Sequence, residues 1–250
     1  MLLITSLLHP TSGFTKEIPQ GGPVQDQLEI RLPSPRHDSG TSVEKALLTR
    51  RSIRKYTEDP LSISEISQIL WAAQGLTMKI ENPSSVWRGS QWQGGLRTAP
   101  SAGALYPLEL YLVAGNVDDL PEGVYRYYPS DHKIVRVLEG DRRAQLSKAA
   151  FTQVQIATAP AAVVISAVYE RTAVKYGERA RRYVHIEVGN ATQNIYLQAV
   201  SLGIGTVLIG AFSDSSVKEV MALPEEESPL GIMPLGRIGG SEEWWPSKEE

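Results

Sequence analysis

The chain has 250 residues, 42% of them hydrophobic and 21% charged, which suffices to bury a sizeable core as one large domain or two small ones. Its formal net charge of -3 argues against a general nucleic-acid coat, which needs a broad positive field. Cysteine is absent, excluding disulfides and thiolate chemistry, and the four histidines (His9, His37, His132 and His185) have no metal-ligand spacing, so no metal site is expected.

The opening "MLLITSLLHP" is apolar but has no positive flank and is broken by His9-Pro10, so it reads as a mobile tail or a docked strand rather than a leader. No apolar stretch is long enough to span a bilayer, and the cytoplasm is the expected location. Residues 1–40 are rich in Pro, Gly and Ser and read as an extended arm. Thr41 and Ser42 then offer an N-cap to a helix with Val43, Ala46 and Leu47 on its apolar side. That helix ends in Arg50-Arg51-Ser52-Ile53-Arg54-Lys55. Pro60 and Ser62-Ile63-Ser64-Glu65 restart the chain as a capped helix through Leu70, Ala73 and Leu76. Residues 77–99 lack periodicity and read as a loop, with Trp87 and Trp92 available to stack on a planar molecule, to pack into the core or to form an interface.

"ELYLVAG" (109–115) is a buried strand, and "GVYRYYPSDHKIVRVLEG" (123–140) is a hairpin about Pro129-Ser130-Asp131. A helix is expected from Asp141 to Ala150 and a buried strand in "APAAVVISAVYE" (159–170). The longest helical signal runs from Ala180 to Leu202, with Val184, Val188, Ala191, Ile195 and Ala199 on one face and Gly203 as its stop. "TVLIGAF" reads as a strand, Asp214–Leu223 as a short helix and "LGIMPLGR" (230–237) as a last strand. Strands and helices mix without strict alternation, giving an α+β fold with a mixed sheet. Residues 41–240 form its domain, and residues 241–250 are a tail.

Four stretches carry candidate chemistry. The arginine cluster can wrap a phosphate or simply offset a helix dipole. Pro100-Ser101-Ala102-Gly103 leaves the backbone bare before a strand, either for a planar ligand or as a tight turn. Gly210-Ala211 permits a similar approach, or bends a strand for packing. Lys175 beside Tyr176 can move a proton if both face one cleft, or can decorate a solvated helix start.

Together "RRSIRKY", "PSAGALYPLELY", "KYGERARRYVHIEVGNATQNIYLQAVSLGIGTVLIGAF" and "PLGR" resemble, in order and spacing, the FMN-dependent nitroreductase superfamily. Within it the chain looks most like the SagB-type oxidase/dehydrogenase branch. The resemblance implies an intertwined homodimer with FMN at the subunit interface and NAD(P)H as an electron donor. It assigns the 5'-phosphate to Arg50 and Ser52 within a block that includes Arg51, and the N1/O2 ring edge to Arg54. Pro100, Ser101, Ala102 and Gly103 match a second block contributed by the partner subunit. Gly210 and Ala211 match main chain near the flavin N5, and Arg237 a second phosphate contact. Lys175 and Tyr176 match the pair that azoline-oxidising members use to remove a proton. Ala104 stands where many relatives have an asparagine that reads the flavin pyrimidine edge. The implied activity is two-electron transfer between NAD(P)H and a nitroaromatic or quinone; the alternatives are oxidation of a peptide azoline and a non-catalytic flavin-binding role.

Overall fold

The computed structural model describes residues 28–80 and 94–239. The first 27 residues of the expected arm, Trp87 and Trp92 with most of the 77–99 loop, and the tail 241–250 lie outside the described residues.

Ser42 caps α1 (Val43–Thr49) by accepting from Lys45 N–H. Ser62 and Glu65 close a reciprocal capping box on α2 (Ile63–Gln74). That helix stops at Gly75, short of Leu76, because the chain turns there into β2 (Leu76–Lys79). The ends of the expected 77–99 loop are therefore structured: β2 pairs with β3 (Gly95–Arg97) as a small hairpin.

The remaining strands form one sheet. β1 (Glu29–Arg31), from the expected arm, docks at its edge on β6 (Lys133–Glu139), the mate of β5 (Gly123–Tyr128). β4 (Leu108–Ala114) and β7 (Ala161–Ala167) make the centre, followed by β9 (Ser228–Arg237) and the short β8 (Ile204–Thr206). The order is β1-β6-β5-β4-β7-β9-β8. The ladders between these strands are antiparallel, and a parallel pairing enters as the isolated bridge Leu61↔Val117.

Side chains alternate across the central strands, so both faces need cover. Leu108, Leu110, Leu112, Val163 and Ile165 face α2 and α6 (Ala180–Leu202), whose Val184, Val188, Ala191, Ile195 and Ala199 join the same core. Tyr111, Val113, Ala162 and Val164 face the other way, toward α3 (Arg143–Ala149), α4 (Val154–Thr158) and α7 (Asp214–Met221). Burying one such large aliphatic side chain contributes roughly 1.5–3 kcal/mol, so this two-sided cover is what holds the sheet. α5 (Tyr169–Tyr176) leads through a 3-10 turn into α6, which ends at Gly203 with φ 67°.

Two further sequence expectations change. α4 was not foreseen; it follows Phe151 and Thr152, both at positive φ, which turn the chain back. "TVLIGAF" is not one strand: the ladder ends at Thr206, Leu208 N–H turns to the Tyr196 hydroxyl, and only Ile209 pairs again, with Ile232.

Candidate active site

The backbone leaves α1 at Arg50 and runs extended along β8, where Ile53 N–H donates to Thr206 C=O at 2.9 Å. Ile53 is buried, and a Cβ on Gly205 would lie 2.6 Å from its Cγ2, so only glycine lets the two segments approach this closely. The buried Ile53 anchors the cluster. Around it, Arg50 sets its guanidinium 5.1 Å from the Tyr196 ring centroid, and Ser52 Oγ lies 3.4 Å from Tyr196 Oη. The Tyr196 hydroxyl also accepts from Leu208 N–H at 2.7 Å. Tyr196, on α6, thus ties the arginine block to the segment that carries Gly210 and Ala211. Those two residues are exposed, and nothing lies within 4 Å of the direction a Gly210 Cβ would take.

The other cations divide. Arg54 Nη1 donates to Ser52 C=O at 3.1 Å, and Arg51 Nη1 donates to the Leu48 and Arg50 carbonyls. Arg51 also lines a cavity of about 280 Å³ with Lys45, Ile53, Tyr196 and Thr206. Arg237, expected on a phosphate, makes a two-pronged pair with Glu65, at 2.6 and 2.9 Å. Burial raises the Glu65 pKa, but the Arg237 bonds and the Ser62 cap outweigh it and leave this carboxyl below its ordinary range.

The second block lies at the other end of α6. Ser101 Oγ accepts from Tyr106 N–H at 2.9 Å, and Gly103, Ala104 and Tyr106 all take positive φ, so the loop is tightly wound. A Cβ on Gly103 would lie 2.9 Å from Tyr176 Oη and 3.1 Å from Lys175 Nζ. The structure therefore brings the two expected catalytic residues together on the loop. They form the last turn of α5 rather than a helix start, and Gly177 at φ 53° ends that helix beside them. Tyr176 also packs edge-on against Tyr183, with centroids 4.9 Å apart.

Pro100, Ser101 and Ala102 line a cavity of about 310 Å³ with Tyr183, Ile186, Glu187 and Asn190. Glu187 is 2% exposed, lines this cavity beside Ser101, and its Oε1 has no hydrogen-bond partner. Burial pushes this carboxyl up to about 7, against the pull of the nearby Ser101 hydroxyl and the Arg97 charge. Sequence reasoning missed Glu187 and Tyr196. Glu187 carried a signal, since it stands three residues after Val184 and four before Ala191, on the apolar stripe of α6.

Glu187 and Tyr196 stand nine positions apart on the helix, or roughly 13–14 Å along its axis. Among the described residues no group of three side chains suits a metal ion, and no helix is long and apolar enough to cross a membrane.

A family model described as "Nitroreductase family" matches residues 47–237. A Methanocaldococcus jannaschii protein named as a nitroreductase is 44% identical over 212 residues, 85% of this chain and 98% of that protein. The Escherichia coli microcin B17-processing protein McbC is 28% identical over 158 residues, 57% of this chain but only 54% of its own length. Among solved structures, one from Ralstonia eutropha named as a nitroreductase superposes with TM-score 0.70 at 27% identity, covering 85% of this chain and 90% of that one. The E. coli microcin synthetase McbBCD complex with truncated pro-MccB17 gives TM-score 0.60 at 25% identity, covering 74% of this chain and 67% of that one.

Proposed function

The chain belongs to the nitroreductase family of oxidoreductases, and from that premise we propose that it is an FMN-dependent oxidoreductase working as a homodimer. The observation that carries this reading is the meeting of Arg50, Ser52 and Leu208 on Tyr196, which sets cation and hydroxyl beside uncovered main chain.

These residues suit FMN. A phosphate calls for charge-assisted donors, which Arg50 and Ser52 supply, and a flat ring calls for bare backbone, which Gly210 and Ala211 supply. Arg54 adds a fixed cation where negative charge would develop on the ring. Bound there, FMN would supply two-electron transfer through its N5, in a ping-pong cycle between NAD(P)H and an acceptor such as a nitroaromatic or quinone. Arg50 would hold the phosphate with Ser52 while Arg51 braces the turn; Arg237, paired with Glu65, supports the capping box of α2 instead.

The second block, Pro100 to Gly103, lies by the Glu187 end of α6 and away from the Tyr196 grip, and in this reading a partner subunit donates it. Val43, Leu47 and Leu48 on α1 and Ile186 on α6 are exposed apolar side chains that such a partner would cover. Residues 41–240 would form the flavin-binding domain, with 1–40 as an arm, 241–250 as a tail and the cytoplasm as its place.

A second reading, oxidation of a peptide thiazoline or oxazoline to the azole, is favoured by the contact of Lys175 and Tyr176 with the Gly103 loop. There Lys175, with Tyr176, would take the ring proton, and oxygen would accept the electrons at the end of the cycle. The similarity to McbC and to its peptide-bound complex supports the same direction. Its test is Lys175→Ala, expected to lower azoline oxidation by roughly 10²–10⁴-fold with FMN still bound. Unchanged oxidation by this variant removes the azoline reading. Purified protein should be yellow and should bleach on anaerobic addition of NADH or NADPH. A flavin that resists every donor supports the non-catalytic alternative, and a colourless protein that takes up no FMN contradicts all three readings.

A further inference from the structure

We propose that Glu187 is a positioning residue for the loop of Pro100 to Gly103, acting through the hydroxyl of Ser101. Ionised, Glu187 draws that hydroxyl's proton to itself; neutral, it donates to Ser101 and frees the Ser101 proton for a ligand in the adjoining cavity. The inference rests on the flavin reading above and assigns the ligand as the hydrogen-bond acceptor edge of the flavin ring.

Three observations converge on it. Glu187 is 2% exposed, has an oxygen without a partner and lines the same cavity of about 310 Å³ as Pro100, Ser101 and Ala102. Such a buried acceptor is costly unless a proton or a donor reaches it. Ser101 can relay this choice because its oxygen already accepts from Tyr106 N–H and has one further lone pair. With Glu187 ionised, the Ser101 O–H points into the carboxylate and the loop offers a ligand no hydroxyl donor. With Glu187 protonated, its O–H takes the remaining Ser101 lone pair and the Ser101 proton turns outward.

The charged and titratable groups around this pair are few. Arg97, on β3, faces Glu187 and is stacked 4.6 Å from the Tyr106 ring centroid; Glu109 and Arg171 act on Arg97 in turn. Tyr106 also faces Glu187, and burial holds its phenol above its ordinary value, neutral near pH 7. Lys175 and Tyr176 reach the loop at Gly103, and Tyr183 lines the cavity. Glu187 is the carboxyl among them that lacks a full set of partners.

The test measures FMN retention in the holo-protein, from free-flavin fluorescence after dilution, between pH 5.5 and 8.5 in wild type, Glu187→Gln and Ser101→Ala. The flavin phosphate has its own second ionisation near pH 6, shared by all three proteins, so the ratio of wild type to variant isolates the side chain. The amide introduced by Glu187→Gln would donate to Ser101 at every pH. The expected result is that wild type matches Glu187→Gln at low pH and falls several-fold behind it as pH rises through the region of 7. Ser101→Ala should bind more weakly and show no such step. A flat wild-type to Glu187→Gln ratio overturns the inference while leaving flavin binding intact, and a step that survives in Ser101→Ala overturns the relay through that hydroxyl. If Glu187→Gln does not fold, Ser101→Ala against wild type decides by the same criterion. A wild type that binds no FMN removes the flavin reading itself, a distinguishable failure.

Discussion

The two ends of α6 do different work. At the Tyr196 end, Arg50, Ser52 and the exposed main chain beyond Leu208 gather cations and donors, a surface shaped for an anion and a flat ring. At the Glu187 end, Ser101, Lys175 and Tyr176 gather hydroxyl and amino groups around the Gly103 loop, the groups assigned to proton handling in the azoline reading. One rigid helix keeps the two sets roughly 13–14 Å apart in a single chain. A two-fold axis crossing the middle of α6 would lay one chain's proton-handling end over the other chain's anion grip. The proposed dimer would bring the two sets together.

The contrast can be broken from either end. The largest effect is expected from Gly205→Ala. Its added methyl would sit 2.6 Å from Ile53 Cγ2 and push the arginine block off β8, costing about 1–3 kcal/mol of stability. FMN content should fall with it while the fold, read by far-UV circular dichroism, persists; full flavin loading in this variant contradicts the anchoring role of Ile53. Tyr196→Phe is milder. It removes the hydroxyl that joins Ser52 to Leu208 N–H, about 1 kcal/mol of hydrogen bonding, so FMN affinity should drop several-fold with little change in Lys175-dependent turnover. Equal losses in both readouts would mean the ends are not separable.

The smallest effect is in pH, and it differs in sign between two carboxyls. The Glu65 pKa is lowered in the folded state, so its contribution is present above about 4.5, the ordinary value, and lost as pH falls through the folded one. The Glu187 pKa is raised to about 7 from the ordinary 4.5, so its ionisation weakens the fold fully at pH 8, and this cost fades as pH drops from 7 toward 4.5. Thermal unfolding from pH 8 to 4 should therefore show Glu187→Gln gaining most over wild type at the alkaline end and Glu65→Gln losing its deficit at the acid end. Parallel curves for the three proteins would contradict both assignments.

Much of this was legible in the amino-acid pattern. The capping box at Ser62, the stripe of α6 with its Gly203 stop and the hairpin about Pro129 each rest on local rules, and the structure holds all three. The nitroreductase fold and family were legible from separated motifs. What escaped depended on contacts between distant segments. Nothing local marks Tyr196 as the joint between residue 52 and residue 208, and "TVLIGAF" breaks because Leu208 N–H finds that phenol. Arg237 finds Glu65 across the chain, so a cation that sequence order offers to a phosphate is already engaged. Glu187 was readable only by asking why an acid stands on an apolar stripe.

The most direct measurement uses mixed dimers. One chain carries Arg50→Ala with Ser52→Ala, and the other carries Ala102→Trp, which fills the cavity beside Ser101. Each variant alone should fail to retain FMN. If the grip of one chain meets the loop of the other, the mixed dimer contains one intact pairing and should recover half the wild-type flavin. No recovery in a properly assembled mixed dimer would place both halves of the site in a single chain and contradict the shared-site account.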